Sequence, residues 1–379
     1  MKHKLVSFFS LGLFWVLFSC EEKTISGPIE IPSDPVGDLL DIGEIFNSSE
    51  LIPITLPDSV LIGNVFSSKA LGDKIYIHDN FNNRILIIDS KEKKLSGIIS
   101  AEGEGPGEYS QINSFDLDPA GNVYIYDFGK RILCFSDGKF NYELENIHLQ
   151  VRDFCKSDKG YILVNPQESY LDYRSTIVES DSSGTILNQL GGEPDYKASL
   201  PNTFFQKFSN TIYINDNPNQ EIILYDQLRN SQEKLEFKIS GEDRPQLVDF
   251  WVADAENIFT VFPAKNDSII LFSQIKNSKF LRNLKGIFSS DDFLPVNKFP
   301  YRAIRDNYDY LIYNTEELKS LLDYFQYFPE AKSYVEENGM YYLKEDKRFS
   351  ISKEKIQAIV SQLDSIKNSN SILIRKFSR

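Results

Sequence analysis

Histidine is nearly absent from this sequence, with three in 379 residues. His3 sits in the N-terminal leader, which leaves His78 and His148. A metal-dependent centre built on imidazole would be expected to bring more of them together, and a lone histidine in a strand, as His78 stands, reads as a structural residue. Cysteine is as rare. Three cannot build a disulfide framework, and no Cys-x-x-Cys pair occurs. The chain also lacks a Gly-x-Ser-x-Gly elbow and a His-Glu-x-x-His helix. It has no excess of positive charge either: the formal net charge is −14. That balance argues against nucleic acid or an anionic lipid surface as partner. Finally, no apolar run is long enough to span a bilayer. The longest, Leu5 to Phe18, would rise about 21 Å as a helix against a hydrocarbon core of about 30 Å.

That run is a signal-peptide core. Lys2 and Lys4 precede it, and Leu17-Phe18-Ser19-Cys20 closes it. The tetrapeptide resembles the lipobox of bacterial lipoproteins, in which the cysteine is lipidated and becomes the mature N-terminus. Residues 1–19 are read as the signal peptide and Cys20 as the lipid attachment site. Residues 20–43, with Glu21-Glu22-Lys23 and Pro28, Pro32 and Pro35, read as a flexible tether too polar to bury a core. Trimming Glu21–Val36 should therefore change stability little. Loss of Lys2 and Lys4 takes the mature charge from −14 to −16. Cys134 and Cys155 remain, both in apolar runs. Export permits a disulfide between them, and buried free thiols are the alternative the runs favour.

A strand motif recurs along the rest. Lys74-Ile75-Tyr76-Ile77-His78-Asp79, Asn122-Val123-Tyr124-Ile125-Tyr126-Asp127 and Thr211-Ile212-Tyr213-Ile214-Asn215-Asp216 each end in an aspartate. Each is followed by a polar turn and a second strand beginning at Arg84, Arg131 or Glu221. Looser copies lie at Gly160–Asn165, Asn257–Phe262 and Asn307–Tyr313. Ile75 to Val123 is 48 residues and Ile212 to Ile258 is 46. Units of this length with several strands each are propeller blades. Two stacked β-sandwiches would not require the recurrence. The fold class is all-β, a six-bladed β-propeller over residues 44–379.

The residues Gly103-Glu104-Gly105-Pro106-Gly107-Glu108-Tyr109, Asp116 to Asp127 and Lys130-Arg131-Ile132 look like an NHL-type repeat. The chain over roughly residues 40–379 resembles the six-bladed β-propeller lipoproteins of Gram-negative bacteria, whose members mostly lack an assigned activity. The resemblance implies an outer-membrane lipoprotein on the periplasmic or cell-surface side. A phosphate-cradling loop needs a helix behind it, whereas strands follow here, so the Gly-Pro-Gly element is a blade-to-blade turn.

The β pattern breaks after Tyr313. Apolar residues at helical spacing predict helices at Glu316–Phe328, from Pro329 to Asn338-Gly339, and around Ile356, Ile359, Val360, Leu363 and Ile366 behind Ser352. These form a helical insertion of about 315–367 between the second and third strands of the last blade. Ser371–Phe377 should supply its third strand and Leu51–Leu56 its outermost, where Pro53 is tolerated.

Asp79, Asp127 and Asp216 recur at one blade position, which points to turn amides rather than metal. A calcium loop starting at Asp79 would need glutamate at its twelfth position, where Ser90 stands. No metal and no cofactor is expected. Aromatic residues make up 13% of the chain, and Tyr301, Tyr308, Tyr310, Tyr324 and Tyr327 cluster around the insertion. They are the candidate ligand-binding residues. The expected role is a binding module for an envelope glycan or peptide, attached to the membrane through its lipid. The alternative is a propeller-type lyase or hydrolase using acidic residues at the channel mouth. Paired carboxylates stay open there, since 55 acidic residues hide any pair.

Overall fold

The computed structural model describes residues 27–31, 38–127, 131–144, 151–166, 175–191, 204–216, 219–239, 247, 249–263, 268–275, 279–288, 302–305, 308–313, 334–337, 340–343, 350–366 and 371–378. Among the described residues, six blade sheets of four antiparallel strands follow one another, two of them extended by a parallel strand, and a smaller three-stranded sheet lies in the insertion. Blade 1 comprises Val65–Leu71, Lys74–Asp79, Arg84–Asp89 and Lys94–Ile99. Blade 2 comprises Ile112–Leu117, Val123–Asp127, Arg131–Ser136 and Lys139–Leu144. Blade 3 begins with Asp153–Lys156 and ends with Ile186–Gln189. Blade 4 begins with Phe205–Phe208 and reaches Ser231–Ile239, and blade 5 runs from Asp249–Val252 to Lys279–Phe288. The first strands of neighbouring blades approach one another around the axis, so they are the inner ring.

The recurring motif has a packing reason. Alternate side chains of a strand point to opposite faces, and here both faces are covered by neighbouring blades. In blade 1, Ile75 and Ile77 enter a cluster with Tyr310, Ile312, Ile372 and Ile374 of blade 6. Tyr76 and Ile85 join Phe115, Ile125 and Leu133 of blade 2 on the other face. Comparable clusters lie between blades 2 and 3, 3 and 4, and 4 and 5. The core is therefore a set of wedges between blades. Burying one aliphatic side chain in a wedge contributes roughly 1.5–3 kcal/mol. Cys134 and Cys155 are buried free thiols in two different wedges.

Both parts of the chain supply blade 6. Arg302–Arg305 and Tyr308–Tyr313 form its first two strands, Ser371–Ser378 the third and Ser48–Thr55 the outermost. Ile374 faces Ile52, and Leu373 faces Pro53. Closure is as the sequence implies, and Pro53 lies on a sheet edge where its missing N–H costs no ladder bond.

Two expectations need correction. Part of the stretch read as a tether is structured. Ile29–Ile31 pairs in parallel with the outer strand of blade 4, and Asp38–Asp41 with that of blade 5. Ile29, Ile31, Leu40 and Ile42 are buried. Phe46 then lies 5.7 Å from the ring of Trp251 in blade 5 and 5.3 Å from Phe377 in blade 6. The short alternation Ile29-Glu30-Ile31 suffices because the outer strands offer it unpaired edges.

The insertion is also only partly helical. Lys353–Ile366 is a helix, with Ser352 Oγ accepting from Lys355 N at 3.2 Å and Ile356 and Ile359 buried. Where a second helix was expected, Tyr334–Glu337 and Met340–Leu343 pair as strands, joined by Ser350–Ser352. Asn338-Gly339 falls between the paired residues Glu337 and Met340. Asn-Gly between β-forming residues is a two-residue hairpin signal, and it prevails over a helix stop. The helix expected at Glu316–Phe328 lies outside the described residues.

Candidate binding face and the central channel

The repeated aspartates build one face of the ring. Asp79 Oδ1 accepts from the backbone N–H groups of Gly63 and Asn64, at 3.2 and 3.1 Å, in the connection entering blade 1. Its Oδ2 accepts from Asn82 Nδ2 at 2.7 Å and Arg84 Nε at 3.2 Å. The same latch recurs in blade 2. Asp127 Oδ1 accepts from Ser110 N and Gln111 N, both at 3.1 Å, and Oδ2 from Arg131 at 2.8 Å. Burial works to raise the pKa of Asp127. The bonds from Ser110 and Arg131 outweigh it, and the carboxyl stays below its usual range. Each arginine also donates to a connection carbonyl, Arg84 to Leu61 and Arg131 to Glu108. Second-to-third turns and blade-to-blade connections are thus locked into one surface.

Blade 4 breaks the pattern. Glu221 stands where Arg84 and Arg131 stand, and it pairs with Lys234 instead. Asp216 accepts from Asn219 at 2.8 Å, and its Oδ1 has no donor among the described residues. Burial pushes its pKa up to about 6, with the Asn219 bond opposing and the Glu221 charge adding.

The latch in blade 1 holds apolar surface outward. Phe81, in the turn between Asp79 and Arg84, is 80% exposed, and Leu61 is 65% exposed. The Phe81 side chain lies over Gly63, where a Cβ would fall 2.5 Å from Phe81 Cβ and 2.6 Å from its ring, so any larger residue at Gly63 would displace it. Asn82 Nδ2 donates to Leu61 O at 2.9 Å, which ties turn and connection together. Phe66 is exposed at the same end of blade 1, at a register shift in the inner strand, with its ring 5.4 Å from buried His78. The connection into blade 2 carries the Gly-Pro-Gly element. Tyr109 OH donates to Asn83 O at 3.0 Å there, and Gly107 takes a positive φ of 78° under Phe140.

At the opposite end, where first strands turn into second strands, charges gather on the inner ring. Asp116 of blade 2 is buried. Lys207 of blade 4 reaches past blade 3 to donate to it at 2.6 Å, and Lys156 N donates at 2.6 Å. Lys69 of blade 1 stands 3.8 Å away. Burial favours the neutral acid at Asp116, but Lys207 and Lys69 together prevail and hold it ionised. Asp153 nearby is raised to about 6 by burial, and Cys155 to about 12 for the same reason. Asp116 is therefore spent on an ion pair and Cys155 stays a thiol. Asp153 is left as the carboxyl of this group that burial pushes well above its usual range.

Of the five expected tyrosines, two lie among the described residues. Tyr310 is fully buried in the wedge between blades 6 and 1, so its ring serves packing. Tyr308 opens the second strand of blade 6, at the end away from the latched turns. Tyr301, Tyr324 and Tyr327 lie outside the described residues, as does Cys20. The exposed trio Leu61, Phe66 and Phe81 was not singled out in the sequence. Its one signal there is Phe81, an aromatic residue flanked by asparagines in a turn.

Comparison with known proteins agrees with this architecture. A crystal structure of a Bacteroides fragilis protein, described as presumed exported, is similar with a TM-score of 0.62 at 16% identity, covering 93% of this chain and 100% of that one. A DUF4221 family member from Bacteroides vulgatus gives 0.41 at 10% identity, over 70% and 93%. Hydrazine synthase of Kuenenia stuttgartiensis gives 0.38 at 11%, over 67% and 74%. No curated protein matches the sequence. The profile of DUF5128, described as a 6-bladed beta-propeller, matches residues 29–248, more than half of the chain. This chain belongs to the DUF5128 family of six-bladed β-propellers.

Proposed function

We propose that this protein is an exported, lipid-anchored propeller that acts as a binding module, presenting its latched-turn face to an envelope glycan or peptide. The observation that carries the reading is Phe81, 80% exposed on a turn whose backbone is fixed by Asp79, Asn82 and Arg84. An aromatic anchor held rigid before binding loses little conformational freedom on association. Leu61 and Phe66 widen the patch, and Tyr301, Tyr324 and Tyr327 are proposed to extend it from the insertion. Tyr310 is withdrawn because it is core. The leader and Cys20 support export and lipidation, as does the description of the similar Bacteroides fragilis protein as exported. An outer-membrane location, periplasmic or at the cell surface, is part of the same proposal.

Binding of the purified domain to glycan and peptide arrays tests this. The strongest ligand should bind Phe81→Ala at least about tenfold more weakly, as hot-spot truncations do. Equal binding by the variant would refute the assignment. The lyase or hydrolase reading would use Asp153, at the start of the inner strand of blade 3, whose carboxyl burial pushes up to about 6. Turnover of an arrayed glycan that Asp153→Asn abolishes would favour it.

A further inference from the structure

We propose that the outer rim of blades 3 and 4, on the side opposite the latched turns, lies against the lipid bilayer and makes contact through Leu228, Ile186 and Leu187. The inference rests on the reading of Cys20 as the lipidated residue. Ile29 pairs in parallel with Phe237, near the end of the outer strand of blade 4. The chain therefore arrives at Ile29 from the direction of the strand's beginning, Ser231, and of the turn before it. Ile29 follows Cys20 by nine positions, at most about 32 Å at full extension. Phe237 stands six residues beyond Ser231, about 20 Å at the rise of a strand. A lipid on Cys20 reaches past the turn by little more than about 10 Å. The anchor thus holds the bilayer within about 32 Å of Ile29, and the parallel entry of the chain points it to this rim.

The rim is built for such contact. Leu228, in the turn, is 72% exposed. Asp226 Oδ1 fixes the turn by accepting from Leu228 N at 2.9 Å and Arg229 N at 3.0 Å. Ile186 and Leu187 are exposed at the start of the outermost strand of blade 3, directly after its own third-to-fourth turn, hence at the same end of the ring. The two blades are tied together there. Asp158 N donates to Gln227 Oε1 at 3.1 Å, and Lys159 bonds Asn230. Three large apolar side chains thus project on one braced edge, at the side from which the anchor approaches. Such residues enter the headgroup boundary once a lipid chain supplies proximity. The net charge of the mature chain disfavours an anionic surface, so the attraction is apolar. This orientation turns the Phe81 face away from the membrane.

The test uses lipidated full-length protein in phosphatidylcholine vesicles. Cys134 and Cys155 are buried, so a thiol introduced by Leu228→Cys, Leu187→Cys or Leu61→Cys can carry a fluorescent label alone. Iodide, which stays in water, is the quencher. The expected result is loss of quenching for labels at 228 and 187 on vesicles, relative to the same labels in soluble Cys20→Ala protein, with full quenching retained at 61. Unchanged quenching at 228 and 187, or shielding at 61 instead, would overturn the orientation while leaving the anchor intact. An intact mass without an acylated Cys20 would overturn the anchor reading, and this inference with it.

Discussion

Asp79, Asp127 and Asp216 share one position in their blades, yet only the first two meet an arginine. Asp216 keeps a buried carboxyl with a pKa near 6. A carboxyl raised in the folded state contributes stability that is fully present below the unfolded value of 3.8 and is lost as pH rises through 6. Asp216→Asn, which can still accept from Asn219, should therefore stabilise the domain by about 2 kcal/mol at pH 8 and leave it unchanged near pH 4. Urea midpoints of variant and wild type at the two pH values check this, and equal shifts at both would count against it. His78 acts in the opposite sense. Burial lowers its pKa to about 4, against the pull of Asp79, so its contribution is present above 6.5 and lost as pH falls towards 4. The two groups offset one another across that window, which is why the variant is more informative than the wild-type profile. The turn-capping role of Asp79 and Asp127 was legible in the sequence, because recurrence at a strand end implies local amides. The weakness at Asp216 was legible too, as Glu221 in place of Arg84 and Arg131, but only once the arginines had been seen to close the latch.

Among the elements, the strands of blades 1, 2 and 4 could be read directly, because both of their faces are buried and the residues alternate between two wedges. The parallel additions at Ile29–Ile31 and Asp38–Asp41 could not. Their pairing depends on distant edges, and the prolines and acidic residues around them gave the composition of a tether. Their burial reverses the expectation for trimming. Trimming residues 21–36 already removes the buried Ile29 and Ile31, and deleting residues 21–44 removes Leu40 and Ile42 as well, a loss on the order of 6 kcal/mol. Denaturation should show a much lower midpoint for that truncation. A midpoint equal to wild type would mean that these strands add nothing to the ring. Asn338-Gly339 was misread for another reason. The pair serves either as a helix stop or as a hairpin turn, and the β-forming residues on both sides decide between them.

On the scale of the whole molecule, the ring gives the chain two unlike ends. One carries the latched turns and the exposed Leu61, Phe66 and Phe81. The other carries the Asp116–Lys207 pair and the braced turns of blades 3 and 4. The six-bladed fold was visible in the repeat spacing, and closure in the shortage of strands for the last blade. The binding patch was not, since exposure is a property of the assembled face and no periodicity reports it. The central claim is that the Phe81 face meets the ligand. A photo-crosslinking amino acid placed at position 81, and in parallel at position 228, can be irradiated in intact cells and the adducts identified by mass spectrometry. The account predicts glycan or peptide adducts from position 81 and lipid adducts alone from position 228. Glycan or peptide adducts from 228 with none from 81 would contradict it.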